Sequence, residues 1–144
     1  MATPETACYI GFDYGKRSIG IAVGQTLTDT ATALTAVAVN HHIPQWHLID
    51  ELIKQWHPAG LVVGWPIDTR GNMQKITHAA QAFGNELSQR YQLPIHYIDE
   101  RYTTSAARAF LLSSSRSRQT TKSQVDAESA KIILEDFFNH RTFS

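Results

Sequence analysis

Three acidic residues, far apart in the chain, lie where strands and a helix could deliver their side chains to one point. Asp13 follows the apolar run 9–12, Glu100 follows a second run at 95–99, and Asp126 begins the last segment with helical apolar periodicity. Carboxylates from two strand ends and a helix would form an oxygen-only site, which prefers Mg²⁺ or Mn²⁺. Because two such ions cleave phosphodiester bonds in many nucleases, the pattern predicts a metal-dependent nuclease site.

Each of these acids also has a simpler interpretation. Asp13 followed by Gly15 is typical of a hairpin turn, and Asp126 could be a charge favoured by the dipole at a helix start. Asp99 and Glu100 are successive strand residues that point to opposite faces, so only one of them should reach a shared site. Three acids at element ends nevertheless favour the metal site over three separate explanations.

The helix that carries Asp126 restricts its partners. Glu128 lies two residues further on, about 200° around the helix, so its carboxylate should not converge with that of Asp126. Ser129 lies three residues on and shares the face, where it could hydrogen-bond a metal-bound water.

The apolar pattern predicts a mixed α/β domain. Strands are expected at 8–14, 17–25, about 31–39, 61–65 and 95–99, and helices from Pro44 to His57, at 73–91, from Thr103 or Thr104 to about Leu112, and at about 124–139. Three hairpin strands followed by alternating strands and helices predict a mixed five-stranded sheet. Its first three strands would be antiparallel and the others parallel, with helices on both faces.

Length and composition fit one cytoplasmic domain over residues 1–144, with a flexible tail at 1–6. No apolar run approaches the roughly 18 residues of a membrane span, and the N-terminus lacks the basic region of a signal peptide. The single cysteine, Cys8, excludes an internal disulfide and thiolate zinc sites, and it suits a reducing compartment.

Positive charge is concentrated in one part of the chain. Thirteen basic and thirteen acidic residues give zero net charge, which argues against strong general binding to nucleic acid. Residues 113–123 contain no apolar residue and predict a mobile loop. This stretch carries Arg116, Arg118 and Lys122, which we expect to contact phosphates.

Four sequence blocks resemble the YqgF/RuvX family of ribonuclease H-like proteins. Ile10–Gly24 resembles the opening motif of that family, Val62–Pro66 the second, Asp99–Thr104 the third and Lys122–Leu134 the fourth. The blocks follow the family's order and cover nearly the whole chain.

The resemblance implies a ribonuclease H-like fold and a bacterial cytoplasmic nuclease that processes the 5′ end of precursor 16S rRNA. It also implies that Asp13, Glu100 and Asp126 are the catalytic metal ligands. Because the family is similar to Holliday junction resolvases, cleavage of branched DNA is the alternative. A non-catalytic nucleic-acid-binding module and an actin-like phosphohydrolase are further alternatives, although the latter would need a second domain.

The chain departs from the family pattern at several positions. Trp65 replaces a smaller aliphatic residue, Asp68 replaces a common Asn, and the loop 113–123 lacks a glycine that is often found there. Ser129 stands where the related resolvases have a fourth acid, which weakens the analogy with them.

The remaining candidate substrate contacts lie beside these motifs. Lys16 and Arg101 could steady phosphates, and Trp65 and Tyr102 could stack an unpaired base. Packing of Trp65 on the sheet is an equally good interpretation. We expect precursor rRNA or branched DNA as partner, association with the ribosome, no membrane contact, and a monomer or weak homodimer.

Overall fold

The computed structural model describes residues 7–100 and 121–141. The described elements, in chain order, are β1 Cys8–Tyr14, β2 Ser18–Gln25, β3 Thr30–Asn40, β4 Ile43–Pro44, α1 Trp46–Trp56, β5 Gly60–Trp65, α2 Lys75–Tyr91, β6 Ile95–Asp99 and α3 Lys122–Arg141. The predicted tail at 1–6, the helix from Thr103 or Thr104, and residues 113–120 of the predicted loop lie outside the described residues. None of the described helices is long and apolar enough to cross a membrane.

The sheet has the strand order β4-β3-β2-β1-β5-β6. Strands β1, β2 and β3 pair antiparallel, whereas β5 and β6 run parallel to β1. The predicted mixed α/β fold class is therefore confirmed, and the sheet has one strand more than expected. This two-residue strand, β4, contains Pro44, which pairs with Val39 at the sheet edge. A proline is tolerated there, and α1 begins only at Trp46 rather than at Pro44.

Alternation along the strands divides the sheet into two different faces. One face carries large apolar side chains, among them Ile10, Phe12, Ile19 and Ile21, which form a buried core with residues of α1 and α2. The other face carries glycines and small residues on β1 and β2, and α3 packs against it. The small residues allow close approach, so the helix that carries Asp126 lies directly on the central strands.

Candidate active site

Two glycines flank Asp13 on the neighbouring strands. Asp13 pairs with Gly20 across the antiparallel β1–β2 ladder. On the other side, Phe12 pairs with Val63, so one residue further along both strands Asp13 lies beside Gly64. Residues directly opposite each other point to the same face of a sheet. The carboxylate of Asp13, which is only 7% exposed, therefore lies on the α3 face between two positions that have no side chain.

Glu100 and Asp126 occupy the space above these two glycines. A Cβ atom on Gly64 would lie 2.6 Å from Oε2 of Glu100, and a Cβ atom on Gly20 would overlap the backbone carbonyl oxygen of Asp126. The Glu100 N–H also donates to the carbonyl of Trp65 at 3.3 Å, which continues the β5–β6 pairing by one residue. The three acids thus lie on one face of the sheet, with Asp13 in the middle.

The carboxylate of Asp126 is held by two donors. Ser18 Oγ donates to Oδ2 of Asp126, and Lys122 Nζ lies 2.9 Å from the same oxygen. Asp126 is buried, whereas the Lys122 side chain is 75% exposed, so the ammonium reaches from solvent to a buried anion. Within residues 7–100 and 121–141, no group of three or more His, Cys, Asp and Glu side chains is arranged to hold a metal ion.

The position of Lys122 is set by a cap that the sequence analysis missed. Thr121 N–H donates to Oε1 of Gln124 at 2.9 Å, and Gln124 N–H donates to Oγ1 of Thr121 at 3.2 Å. This reciprocal pair is a capping box, and the pattern Thr-x-x-Gln is its sequence signal. Lys122 and Ser123 are consequently helical rather than part of the predicted loop, and Lys122 stands one helical turn before Asp126.

Ser18 was also missed, although it lies inside the first motif. It shares the α3 face with Gly20, two residues along β2, but its partner Asp126 is 108 residues away. We expect Ser18→Ala to lower the free energy of unfolding by about 1.5–3 kcal/mol, because a hydrogen bond to a charged group is lost. Urea unfolding of the two proteins without added metal measures this difference.

Ser129→Ala is the matched control for this substitution. Its hydroxyl donates to the carbonyl of Val125 at 3.0 Å inside the same helix, in a neutral bond that should be worth about 1 kcal/mol. Equal losses in the two variants would contradict a special role for Ser18. The contact of Ser129 with a metal-bound water stays a prediction.

The turn after β5 is stabilised by Asp68. Its Oδ1 accepts from the backbone N–H groups of Arg70 at 2.9 Å and Asn72 at 2.8 Å. The bond from the Asn72 backbone is the main cause that lowers the pKa of Asp68 below its ordinary value. The side-chain oxygen of an Asn could accept the same two bonds. The turn is therefore compatible with Asp68 as well as with the Asn that is common at this position in the family.

The predicted substrate contacts fall into three groups. Lys16 is exposed in the turn between β1 and β2, three residues after Asp13 in the sequence. Trp65 is half-buried and lies edge to face on Tyr97, with ring centroids 5.0 Å apart, on the α2 side of the sheet. The others, Arg101, Tyr102, Arg116 and Arg118, lie outside the described residues.

The comparisons of the sequence with known proteins agree on one family. The sequence profile of the RuvX family, described as Holliday junction resolvase, matches residues 7–140. A protein of Aeromonas hydrophila subsp. hydrophila named "Putative pre-16S rRNA nuclease" is 48% identical over 126 residues, covering 88% of this chain and 90% of the relative. A protein of the same name from Shewanella denitrificans is 43% identical over 132 residues, covering 92% and 94%.

Two solved structures share the fold at low sequence identity. RuvC of Thermus thermophilus, solved in complex with a Holliday junction substrate, superposes with a TM-score of 0.59 at 14% identity, covering 94% of this chain and 96% of that one. The yeast mitochondrial Holliday junction resolvase Ydc2 gives a TM-score of 0.53 at 9% identity, covering 99% and 81%. With its matched profile, its close relatives and this ribonuclease H-like fold, the chain belongs to the RuvX family.

Proposed function

We propose that this protein is a metal-dependent nuclease that hydrolyses phosphodiester bonds during 5′-end processing of precursor 16S rRNA. The observation that carries the proposal is the placement of Asp13 between Gly20 and Gly64, with Asp126 and Glu100 above those glycines. The names of the relatives from Aeromonas and Shewanella support the RNA substrate. On this proposal the protein acts in the cytoplasm, in association with assembling ribosomes.

The donor set fits Mg²⁺ or Mn²⁺. Asp13 and Asp126 are buried carboxylates, and Asp126 already attracts a cation, the ammonium of Lys122, to one of its oxygens. Oxygen ligands of this kind suit hard divalent ions, so Asp13, Glu100 and Asp126 would hold the metal. When bound, such an ion polarises a phosphoryl oxygen and lowers the pKa of a coordinated water.

The other polar residues would orient the site and its substrate. Ser18 fixes the orientation of the Asp126 carboxylate through its hydrogen bond. Lys122, which is paired with Asp126, and Lys16, which is exposed in the turn after β1, would contact phosphate oxygens as point charges. Arg101, Arg116 and Arg118 are proposed to add further phosphate contacts, because sequence places them between Glu100 and Asp126.

Branched DNA is the alternative substrate, because the family description names a Holliday junction resolvase. Against it stands Ser129, whose hydroxyl is bonded to Val125 at the position where related resolvases have a fourth acid. A metal ion held by three carboxylates would bind the phosphates of RNA and of DNA alike, so the substrate must be decided by experiment.

A cleavage assay on three substrates tests the proposal. The purified chain is incubated with single-stranded RNA, structured precursor 16S rRNA or a four-way DNA junction, each with Mn²⁺, Mg²⁺ or EDTA. We expect cleavage of the precursor near its mature 5′ end with either metal and none with EDTA, and the Asp13→Asn variant controls for contaminating nucleases. Cleavage of the junction alone would identify a resolvase, and binding without cleavage of any substrate would overturn the enzyme assignment.

A further inference from the structure

A second concave site lies at the same end of the sheet, on the α2 side. It is an open surface cavity of about 330 Å³, and the described residues that line it are Trp65, Gln81, Tyr97 and Asp99. This volume is at the lower end of the roughly 300–1,000 Å³ that small-ligand pockets occupy, so the site has room for one nucleobase. The phosphodiester chemistry proposed above uses none of the polar groups in this cavity.

The pairing of β5 with β6 assembles the cavity walls. Trp65 pairs with Asp99, and Tyr97 lies two residues before Asp99, so all three belong to the α2 face by alternation. Gly84 of α2 makes room for Tyr97, because a Cβ atom at Gly84 would overlap the Tyr97 hydroxyl. Tyr97 is still 37% exposed and Trp65 is half-buried, so both rings keep surface that a ligand can cover.

We propose that this cavity binds one unpaired guanine of the nucleic-acid substrate. Trp65 and Tyr97 supply an aromatic platform, and bases stack on such platforms whatever their identity. Asp99 supplies the selectivity, because an ionised carboxylate only accepts hydrogen bonds. Guanine presents two adjacent donors, N1–H and the N2 amino group, to such an acceptor. Adenine presents an acceptor, N1, beside its amino group, and the lone pair of N1 repels a carboxylate oxygen. The Gln81 amide can donate to O6 of guanine.

The relation between Asp99 and Glu100 connects this cavity to the proposed cleavage site. The two residues are consecutive at the end of β6, yet Asp99 lines the cavity whereas the Glu100 carboxylate lies over Gly64 on the opposite face. A nucleotide strand crossing this edge could therefore place a phosphate at Glu100 and a neighbouring base at Asp99. This assignment rests on the proposed function, since it requires a nucleic-acid substrate.

Binding of short labelled RNA probes tests the assignment. The probes are single-stranded oligouridines with one central guanosine, inosine or adenosine, and fluorescence anisotropy is measured in EDTA so that no cleavage occurs. We expect the native chain to bind the guanosine probe about tenfold more tightly than the adenosine probe, as one bidentate base contact allows. Inosine, which lacks the N2 amino group, should fall between them.

Three variants separate selectivity from stacking. Asp99→Asn should remove most of the preference for guanosine while leaving the affinity for the adenosine probe unchanged. Trp65→Leu should weaken binding of all probes alike, by about tenfold. Glu86→Gln, which removes an exposed carboxylate of α2 paired with Arg90, is the control and should change neither quantity. Circular dichroism establishes that each variant is folded.

The outcomes distinguish the two proposals. Equal affinity of the native chain for guanosine and adenosine probes overturns the cavity assignment, while precursor cleavage in the assay above would still support the nuclease. A guanosine preference that depends on Asp99, in a chain that cleaves no substrate, supports the cavity and overturns the nuclease. A preference that Asp99→Asn leaves intact also overturns the cavity assignment.

Discussion

Replacing Asp13 by Asn is expected to abolish cleavage while leaving the fold intact. Substitutions in the shell around a metal ligand already cost about 10–100-fold, so losing the central ligand should cost at least about 100-fold. The Asn side chain keeps the shape of Asp, and it removes one of three acids that repel each other on one face. Unfolding temperature without metal should therefore stay the same or rise. Single-turnover cleavage with Mn²⁺ and thermal unfolding in EDTA measure the two effects.

Glu100→Gln and Asp126→Asn should abolish cleavage in the same way. Asp126→Asn should also lower the unfolding temperature, because it removes the charge that Ser18 and Lys122 bind. The matched control is Glu128→Gln on the same helix, whose exposed carboxylate lies 3.9 Å from Lys131 and is turned away from Asp126. This substitution should leave cleavage nearly unchanged. If any one of the three variants retained full activity, that residue would have no part in metal binding. Reduced activity of Glu128→Gln would show that the assay responds to charge in general.

The second large effect is expected at Gly20. A methyl group there would overlap the Asp126 carbonyl, which is rigid backbone, so Gly20→Ala can be accommodated only if α3 moves away from β2. Overpacking typically costs about 1–3 kcal/mol and occasionally more, and we expect a loss of about 3 kcal/mol or greater. Urea unfolding measures it. Because α3 carries Asp126, the folded fraction should also cleave more slowly.

Gly11→Ala is the control for this comparison. Its new Cβ would lie 3.1 Å from Leu134 Cβ and 3.2 Å from the Ala130 carbonyl, which is a tight contact that small shifts relieve. Its destabilisation should be clearly smaller than that of Gly20→Ala, although both substitutions add one methyl group under α3. Similar values for the two variants would contradict the direct contact of Gly20 with the Asp126 backbone.

Alternation in the sequence was sufficient to predict most of the sheet. The strands at 8–14 and 95–99 have the predicted bounds, and the assignment of Asp99 and Glu100 to different faces agrees with the cavity and with the contact at Gly64. Period-two patterns identify faces, because the pleat fixes side-chain direction locally. The predicted metal ligands and substrate contacts stay predictions.

The contacts that set the site could not be predicted in the same way. Gly20 and Gly64 resemble ordinary strand glycines, and their importance depends on what packs above them in three dimensions. The bond from Ser18 to Asp126 joins distant parts of the chain, for which a single sequence carries no pairing information. Lys122 is a different case, because the Thr121–Gln124 capping pattern was visible and would have placed it on the helix.

The pairing register of β6 restricts insertions and deletions in this strand. β6 pairs with β5 from Leu61–Ile95 to Trp65–Asp99, and its end delivers two consecutive acids to opposite sides of the sheet. With the start of β6 fixed, inserting one residue would move Asp99 to the position over Gly64. Deleting one residue would move Glu100 to the position beside Trp65. A substitution at the end of this strand changes one face of the sheet, whereas a single-residue change in its length would disrupt both sites at once.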